Sequence, residues 1–171
     1  MALEPAPHNR VLNHIALHVP DLDAAVTFYT TLFGFKRLRT LPVCCDRGTD
    51  PCAPIFRVYD ARLHKVKLAF LTTGSGVGFE LFQFVDPPMS EQASFDYTRG
   101  GVFHLAVTDP DPDALCERVV GAGGRKIGET IVPSSCVGDA EKVYALYVQD
   151  PWGNVIEACS CSFEKMMANR E

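Results

Sequence analysis

Two stretches decide the fold: Leu12-Asn-His-Ile-Ala-Leu-His-Val-Pro-Asp21 and its echo Val102-Phe-His-Leu-Ala-Val-Thr-Asp-Pro-Asp111. In the first, Ile15, Leu17 and Val19 alternate with His14, Ala16 and His18. That is the two-residue period of a strand, with the odd positions facing a core. Pro20 and Asp21 stop it, and Asp21 or Asp23 can cap a helix carrying Ala25, Val26, Phe28, Tyr29, Leu32 and Phe33 at helical spacing up to Gly34. The echo keeps the register: His14 precedes Asp21 by 7 and Gly34 by 20, and His104 precedes Asp111 by 7 and Gly124 by 20. An internal repeat of this kind sets the architecture before any single motif is weighed.

Working outward, the first half continues with strands expected at Lys36–Leu41, Val66–Leu71 and Val77–Val85, the last two joined by Thr-Thr-Gly-Ser-Gly. The second half continues with a helix from Pro112 to Gly121 and strands near Arg125–Glu129, Tyr144–Gln149 and Asn154–Cys161. Asp150-Pro-Trp-Gly-Asn154 supplies the last turn, with Gly and Asn able to take positive φ. Each half therefore reads as βαβββ, an α+β class. Module one is expected over 11–85, a Pro-rich linker over 86–100 and module two over 101–162, with tails at 1–10 and 163–171. Residues 44–64 form the longest stretch without a regular period, the usual mark of a lid or pocket wall.

Composition narrows the function classes. The 171 residues are 47% hydrophobic, enough for a real core, and 16 basic against 21 acidic residues leave a net charge of −5. Without a Lys/Arg block, neither nucleic acid nor an anionic membrane surface is an expected partner. No apolar run reaches the roughly 18 residues a bilayer needs, and Met-Ala-Leu-Glu-Pro-Ala-Pro has neither a basic start nor an apolar signal core, so a cytoplasmic protein is expected. Seven cysteines (Cys44, Cys45, Cys52, Cys116, Cys136, Cys159 and Cys161) at irregular spacing fit no disulfide framework and no paired zinc motif, and reduced thiols are expected.

Four metal-competent side chains fall at equivalent places in the two halves: His14 and His104 near the start, Glu80 and Glu157 near the end. Glu80 shares a strand face with Phe82 and Phe84, and Glu157 shares one with Val155, Cys159 and Cys161, so each carboxylate needs a partner. Singly, a strand His or Glu has an ordinary explanation in a half-buried hydrogen bond or a solvated face. At repeated positions, the joint reading is a mixed N/O set for one divalent ion, with Ni, Co, Zn, Mn and Fe left open.

This pattern resembles the vicinal oxygen chelate superfamily, the group of glyoxalase I, bleomycin-resistance proteins and extradiol dioxygenases. Residues 12–35 resemble the family's opening strand and helix, including Phe28-Tyr29 and the Leu-Phe-Gly-Phe helix end. Phe79-Glu80-Leu81, Phe103-His104-Leu105-Ala106-Val107 and Asp150-Pro-Trp-Gly-Asn-Val-Ile-Glu157 resemble the other three signature strands. The resemblance covers about residues 11–162 and implies paired βαβββ modules curling into a concave mixed sheet around one metal. It implies His14, Glu80, His104 and Glu157 as ligands, His18 and its counterpart Thr108 facing the substrate, and a homodimer.

The implied chemistry is Lewis-acid-assisted proton transfer on a small enolisable carbonyl compound, by a lyase or isomerase of natural-product tailoring type, with Glu80 or Glu157 as base. An extradiol-type dioxygenase uses two His and one carboxylate, so Glu80 argues against it. A metal-free binding or resistance protein has no use for four ligands. Phe82 and Phe84, with Phe103 or Trp152 nearby, are expected to line the pocket if they are not ordinary core, and point to a substrate with apolar surface. Arg57, His64, Lys65 and Lys67 are spaced like a solvated strand, and Cys159 and Cys161 read as buried structural thiols.

Overall fold

The computed structural model describes residues 10–90, 95–132 and 143–167. They form two compact units, one from the chain up to Thr30 and from Gly34 to Met89, the other from Thr31–Phe33 and the chain from Ser90 onward. Both are mixed sheets with few helices, so the α+β class stands.

In the first unit, β1 (His14–His18), α1 (Leu22–Leu32), β2 (Lys36–Arg37), β3 (Val43–Asp46), β4 (Lys65–Thr72) and β5 (Gly78–Asp86) build a sheet of order β1-β5-β4-β2, with β3 also on β4. β1 runs parallel to β5, and the other pairs are antiparallel. The turn from β1 into α1 is set by Asp21, whose Oδ1 accepts from Ala24 N at 3.0 Å. Gln83 on β5 adds a brace, accepting from Leu22 N at 3.3 Å and donating to the Pro20 carbonyl at 2.9 Å. The odd positions of β5 and the apolar side of α1 make the core, where Tyr29, Phe35 and Phe79 meet with centroids 4.7 to 6.1 Å apart.

The second unit repeats the plan with β6 (Leu105–Thr108), α2 (Pro112–Gly121), β7 (Arg125–Ile131), β8 (Ala145–Gln149) and β9 (Val155–Cys159), in the order β6-β9-β8-β7. Asp111 caps α2 through Ala114 N at 3.1 Å, the counterpart of Asp21. Leu115, Val119, Leu146, Val148, Ile156 and Ala158 are buried beneath α2. Asp150 organises the last turn: its Oδ1 accepts from Trp152 N at 3.0 Å and Asn154 N at 2.7 Å, and Gly153 takes φ 98°. Gly153 alone supplies the positive φ; among the described residues, Asn154 and every other non-glycine keep φ negative.

Several elements differ from the sequence reading. The strand expected over Lys36–Leu41 is only two residues long, because Leu38 and Leu41 find no face to bury and Pro42 cannot donate to a ladder. The stretch 44–64 is not wholly irregular: Cys44 and Cys45 pair in β3, and Pro54–Arg57 forms a 3₁₀ turn. The second helix ends at Gly121, as expected, and the repeated Gly124 lies beyond it. Gly123, with φ 91°, carries the chain out of the helix, and a Cβ on Gly124 would lie 2.5 Å from the Gln149 carbonyl oxygen. The tail carries a short helix, α3 (Phe163–Met167), whose Met166 is buried against Val143, Ala145 and Cys159. The six described cysteines are free thiols, and Cys136 lies outside the described residues. No helix among the described residues is long and apolar enough to cross a membrane.

Candidate metal centre

The parallel pairing of β1 with β5 sets Ala16 opposite Glu80 and His14 opposite Gly78. His14 and Glu80 therefore rise from the same sheet face on neighbouring strands, with Nε2 and Oε2 at 3.7 Å. Gly78 makes room for this: a Cβ there would sit 2.9 Å from His14 Cβ. His14 Nδ1 lies 2.7 Å from the side-chain oxygen of Asn13. The Asn13 carbonyl oxygen can accept from Nδ1–H, and Nε2 is the ring nitrogen on the side of the carboxylate.

The second unit reproduces the register. Ala106 pairs with Glu157, and His104 stands two residues before Ala106, just ahead of β6. Its Nε2 is 3.3 Å from Glu157 Oε2. This pair is the more enclosed, with His104 and Glu157 side chains 26% and 15% exposed against 50% and 24% for His14 and Glu80. Phe103 lies edge-on to the His104 ring at 4.6 Å and Tyr147 lies edge-on at 5.4 Å.

Tyr147, which faces Glu157 across β8 and β9, is a site residue the sequence reading missed. Burial, then the Glu157 charge and its hydrogen bond with that carboxylate, push the Tyr147 phenol up to about 12. It stays protonated at neutral pH, with the Glu157 carboxylate opposite it on the next strand. Only the strand parity of Tyr147 relative to Glu157, ten residues on, carries that signal in the sequence. Burial, with the Glu157 charge next, pushes the Cys159 thiol up to about 11, so it is no nucleophile, as expected of a structural thiol.

The four expected ligands are thus arranged as two His–Glu pairs. Among the described residues, no group of three or more His, Cys, Asp or Glu is placed to hold an ion. Within each pair the donor set fits a divalent cation. Two donors at about 2.1 Å from one ion must lie within about 4.2 Å of each other, and 3.7 and 3.3 Å satisfy that while exceeding a tight charge-assisted hydrogen bond. His104 Nδ1 is buried without a hydrogen-bond partner, an imidazole nitrogen that only an added partner satisfies.

His18 and Phe84 lie on the ligand face of the first unit and meet edge-on at 4.9 Å, and Tyr59 reaches Phe84 at 6.0 Å. Phe82 is mostly taken up by packing: it is buried with Ala53, Phe56, Leu63, Val66 and Leu68. The stretch 44–64 is therefore pinned onto the ligand face as a wall. An Asp46–Lys65 ion pair at 2.9 Å clasps its ends, and Arg47 donates to the Leu63 and Asp60 carbonyls at 2.8 and 3.3 Å while lying 4.4 Å over the Phe56 ring. Thr108 is exposed, its hydroxyl 3.4 Å from the Cys161 carbonyl.

Comparison with known proteins agrees with this plan. A family model described as Glyoxalase/Bleomycin resistance protein/Dioxygenase superfamily matches residues 11–158. The chain is 33% identical over 149 residues to a 2-epi-5-epi-valiolone epimerase of Actinomyces sp, covering 85% of this chain and 76% of that protein. It is 29% identical over 151 residues to a Vibrio cholerae protein named "Probable lactoylglutathione lyase", covering 88% and 89%. Among solved structures, a glyoxalase family protein from Bacillus cereus superposes with a TM-score of 0.66 at 18% identity, covering 91% of this chain and 97% of that one.

Proposed function

The chain belongs to the Glyoxalase/Bleomycin resistance protein/Dioxygenase superfamily, and on that premise we propose that it is a divalent-metal-dependent isomerase or lyase that moves a proton on a small enolisable carbonyl compound. The observation that carries this reading is the duplicated His–Glu pair: the same strand register, the same face and separations of 3.7 and 3.3 Å in both units. Relatives named as an epimerase and a lactoylglutathione lyase support proton transfer as the reaction type.

A divalent cation, when bound, polarises the substrate carbonyl and stabilises the negative charge that develops as the neighbouring carbon loses its proton. His14 would contribute Nε2 from a ring whose Nδ1 lies against Asn13, and His104 its ring from between Phe103 and Tyr147. The two carboxylates are not equivalent. Glu157 faces the Tyr147 phenol across β8 and β9 and is the less exposed, whereas Glu80 faces Phe70 across β4 and β5 and, among the described residues, has only His14 as an ionic neighbour. Glu80 is therefore the carboxylate free to swing to the substrate and take its proton, and Glu157 the anchored one. Delivery of a proton to the same carbon from the opposite face by a second acid would give epimerisation, with the abstracted proton left on Glu80, and return of that proton by Glu80 to an adjacent atom would give isomerisation. A small-molecule substrate and a homodimer belong to the same reading, the latter checked by sedimentation.

The test is to incubate protein loaded with Ni, Co, Mn, Fe or Zn with enolisable candidates in deuterated water, with and without oxygen. The candidates include hemithioacetals, 2-oxo thioesters and 2-epi-5-epi-valiolone. Solvent deuterium in anaerobic product is the expected result. Strict oxygen dependence with C–C cleavage, or no stoichiometric metal uptake from any of the five ions, overturns it.

A further inference from the structure

We propose that Arg125 is a substrate-anion anchor, so that the molecule handled beside Glu157 carries a carboxylate or phosphate at its far end. The chemistry performed there rests on the proposed function; the anchor itself does not. The ligand face of the second unit is laid out by the ladder: Ala106, Glu157, Tyr147 and Ile127 form one row, and Val155, Gln149 and Arg125 form the next. Arg125 lies two strands and two residues from Glu157, so the backbones are about 12 Å apart at ordinary sheet spacing. Two side chains with a small molecule between them fill that gap.

The guanidinium is pre-set rather than loose. Arg125 Nε donates to Gln149 Oε1 at 2.6 Å, and Gln149 in turn donates from Nε2 to the Gly153 carbonyl at 2.7 Å. Gln149 is 6% exposed, so this tether is part of the interior and ties Arg125 to the turn that leads into β9 and Glu157. A guanidinium has five N–H donors in a planar fork. One is spent on Gln149, and the terminal nitrogens donate to no described residue. That edge has the geometry for a bidentate bond to a carboxylate or phosphate. The equivalent register point of the first unit carries Lys36 opposite Thr72, and no side-chain hydrogen bond joins that pair among the described residues. A repeat position that is basic in both units is anchored only where the enclosed His–Glu pair lies.

Two measurements test this. With metal-loaded protein, calorimetric titration compares hydroxamate chelators of equal length whose tails end in a carboxylate, a phosphonate or a methyl group. Wild type is expected to prefer one or both charged tails by about 10- to 100-fold, the scale of a hydrogen-bonded charge pair, and which of the two identifies the anion. Arg125→Met should abolish the preference while leaving metal uptake and methyl-tail binding unchanged, and Arg125→Lys should keep part of it. With metal-free protein, the Arg125 Nε–H resonance should shift on adding millimolar phosphate or acetate and not on chloride at matched ionic strength. Equal affinity for all tails in wild type overturns the anchor and leaves the metal reading intact. Chelators that bind no better with metal than without, alongside an intact Arg125 shift, overturn the metal reading and leave the anchor.

Discussion

Substituting Gly78 with Ala probes the ligand pair without touching a ligand. The added Cβ would lie 2.9 Å from His14 Cβ and 3.4 Å from the Asn13 carbonyl oxygen. Gly78 is not among the glycines with positive φ, so Ala is allowed by the backbone and the effect is steric. Carbon atoms in contact prefer about 3.5–4.0 Å, so His14 must move back by roughly 0.6 to 1 Å. Overpacking of that size costs about 1–3 kcal/mol, offset by about 0.4–1 kcal/mol from the reduced freedom of the unfolded chain. A loss near 1 kcal/mol lowers Tm by about 2–4 °C for a chain this long. Metal affinity should suffer more, because a ligand displaced from its preset position typically loses about 10- to 100-fold. The assay is calorimetric metal titration of Gly78→Ala beside a thermal melt, repeated in a His14→Gly background where the opposing Cβ is gone. In that background Gly78→Ala should cost nothing further in metal affinity. An unchanged affinity in the single variant, or an equal penalty in both backgrounds, refutes the claim that Gly78 makes the space for His14.

Other expectations follow from the same geometry. Glu80→Gln keeps an oxygen donor but removes the base, so turnover in solvent-exchange assays should fall by roughly 10² or more, whereas Tyr147→Phe should lower it less while leaving the melt nearly unchanged. Asn13→Ala frees the His14 tautomer and should weaken metal binding by about tenfold, which Asn13→Asp should restore. The hydrogen bond from Lys65, then that from Gly48 N, holds the Asp46 carboxyl below its usual range. A depressed carboxyl stabilises fully above its unfolded value of about 3.9 and loses that contribution as pH falls through the folded one. Limited proteolysis within 47–64 should therefore stay slow at pH 5 and accelerate below about pH 4, and Asp46→Asn should be cleaved faster already at neutral pH.

The parts of this protein that sequence made legible are those with a period. Strand alternation put His14 and Glu80 on one face, and the matched spacings from His to Asp set Asp21 and Asp111 at equivalent points, where each caps a helix. What escaped depends on side chains meeting across strands whose register no local pattern announces. Tyr147 touches Glu157 only because β8 and β9 pair as they do, and Arg125 meets Gln149 across 24 residues of chain. The stretch 44–64 escaped for another reason. Its order comes from Phe56 and Leu63 settling on Val66, Leu68 and Phe82, and from Arg47 spending its donors on loop carbonyls, tertiary contacts that lack any repeat. The same contacts explain why Phe82 and Phe84, equivalent by parity, differ in burial: the wall buries Phe82, while Phe84 packs half-buried at its edge between His18 and the wall's own Tyr59. A substrate-facing role then falls to the less buried of the two aromatics, Phe84. Phe84→Ala should accordingly alter KM with little change in stability, while Phe82→Ala should cost about 3–5 kcal/mol of stability, as for a buried aromatic. Equal loss of stability in the two variants would show that the wall covers both.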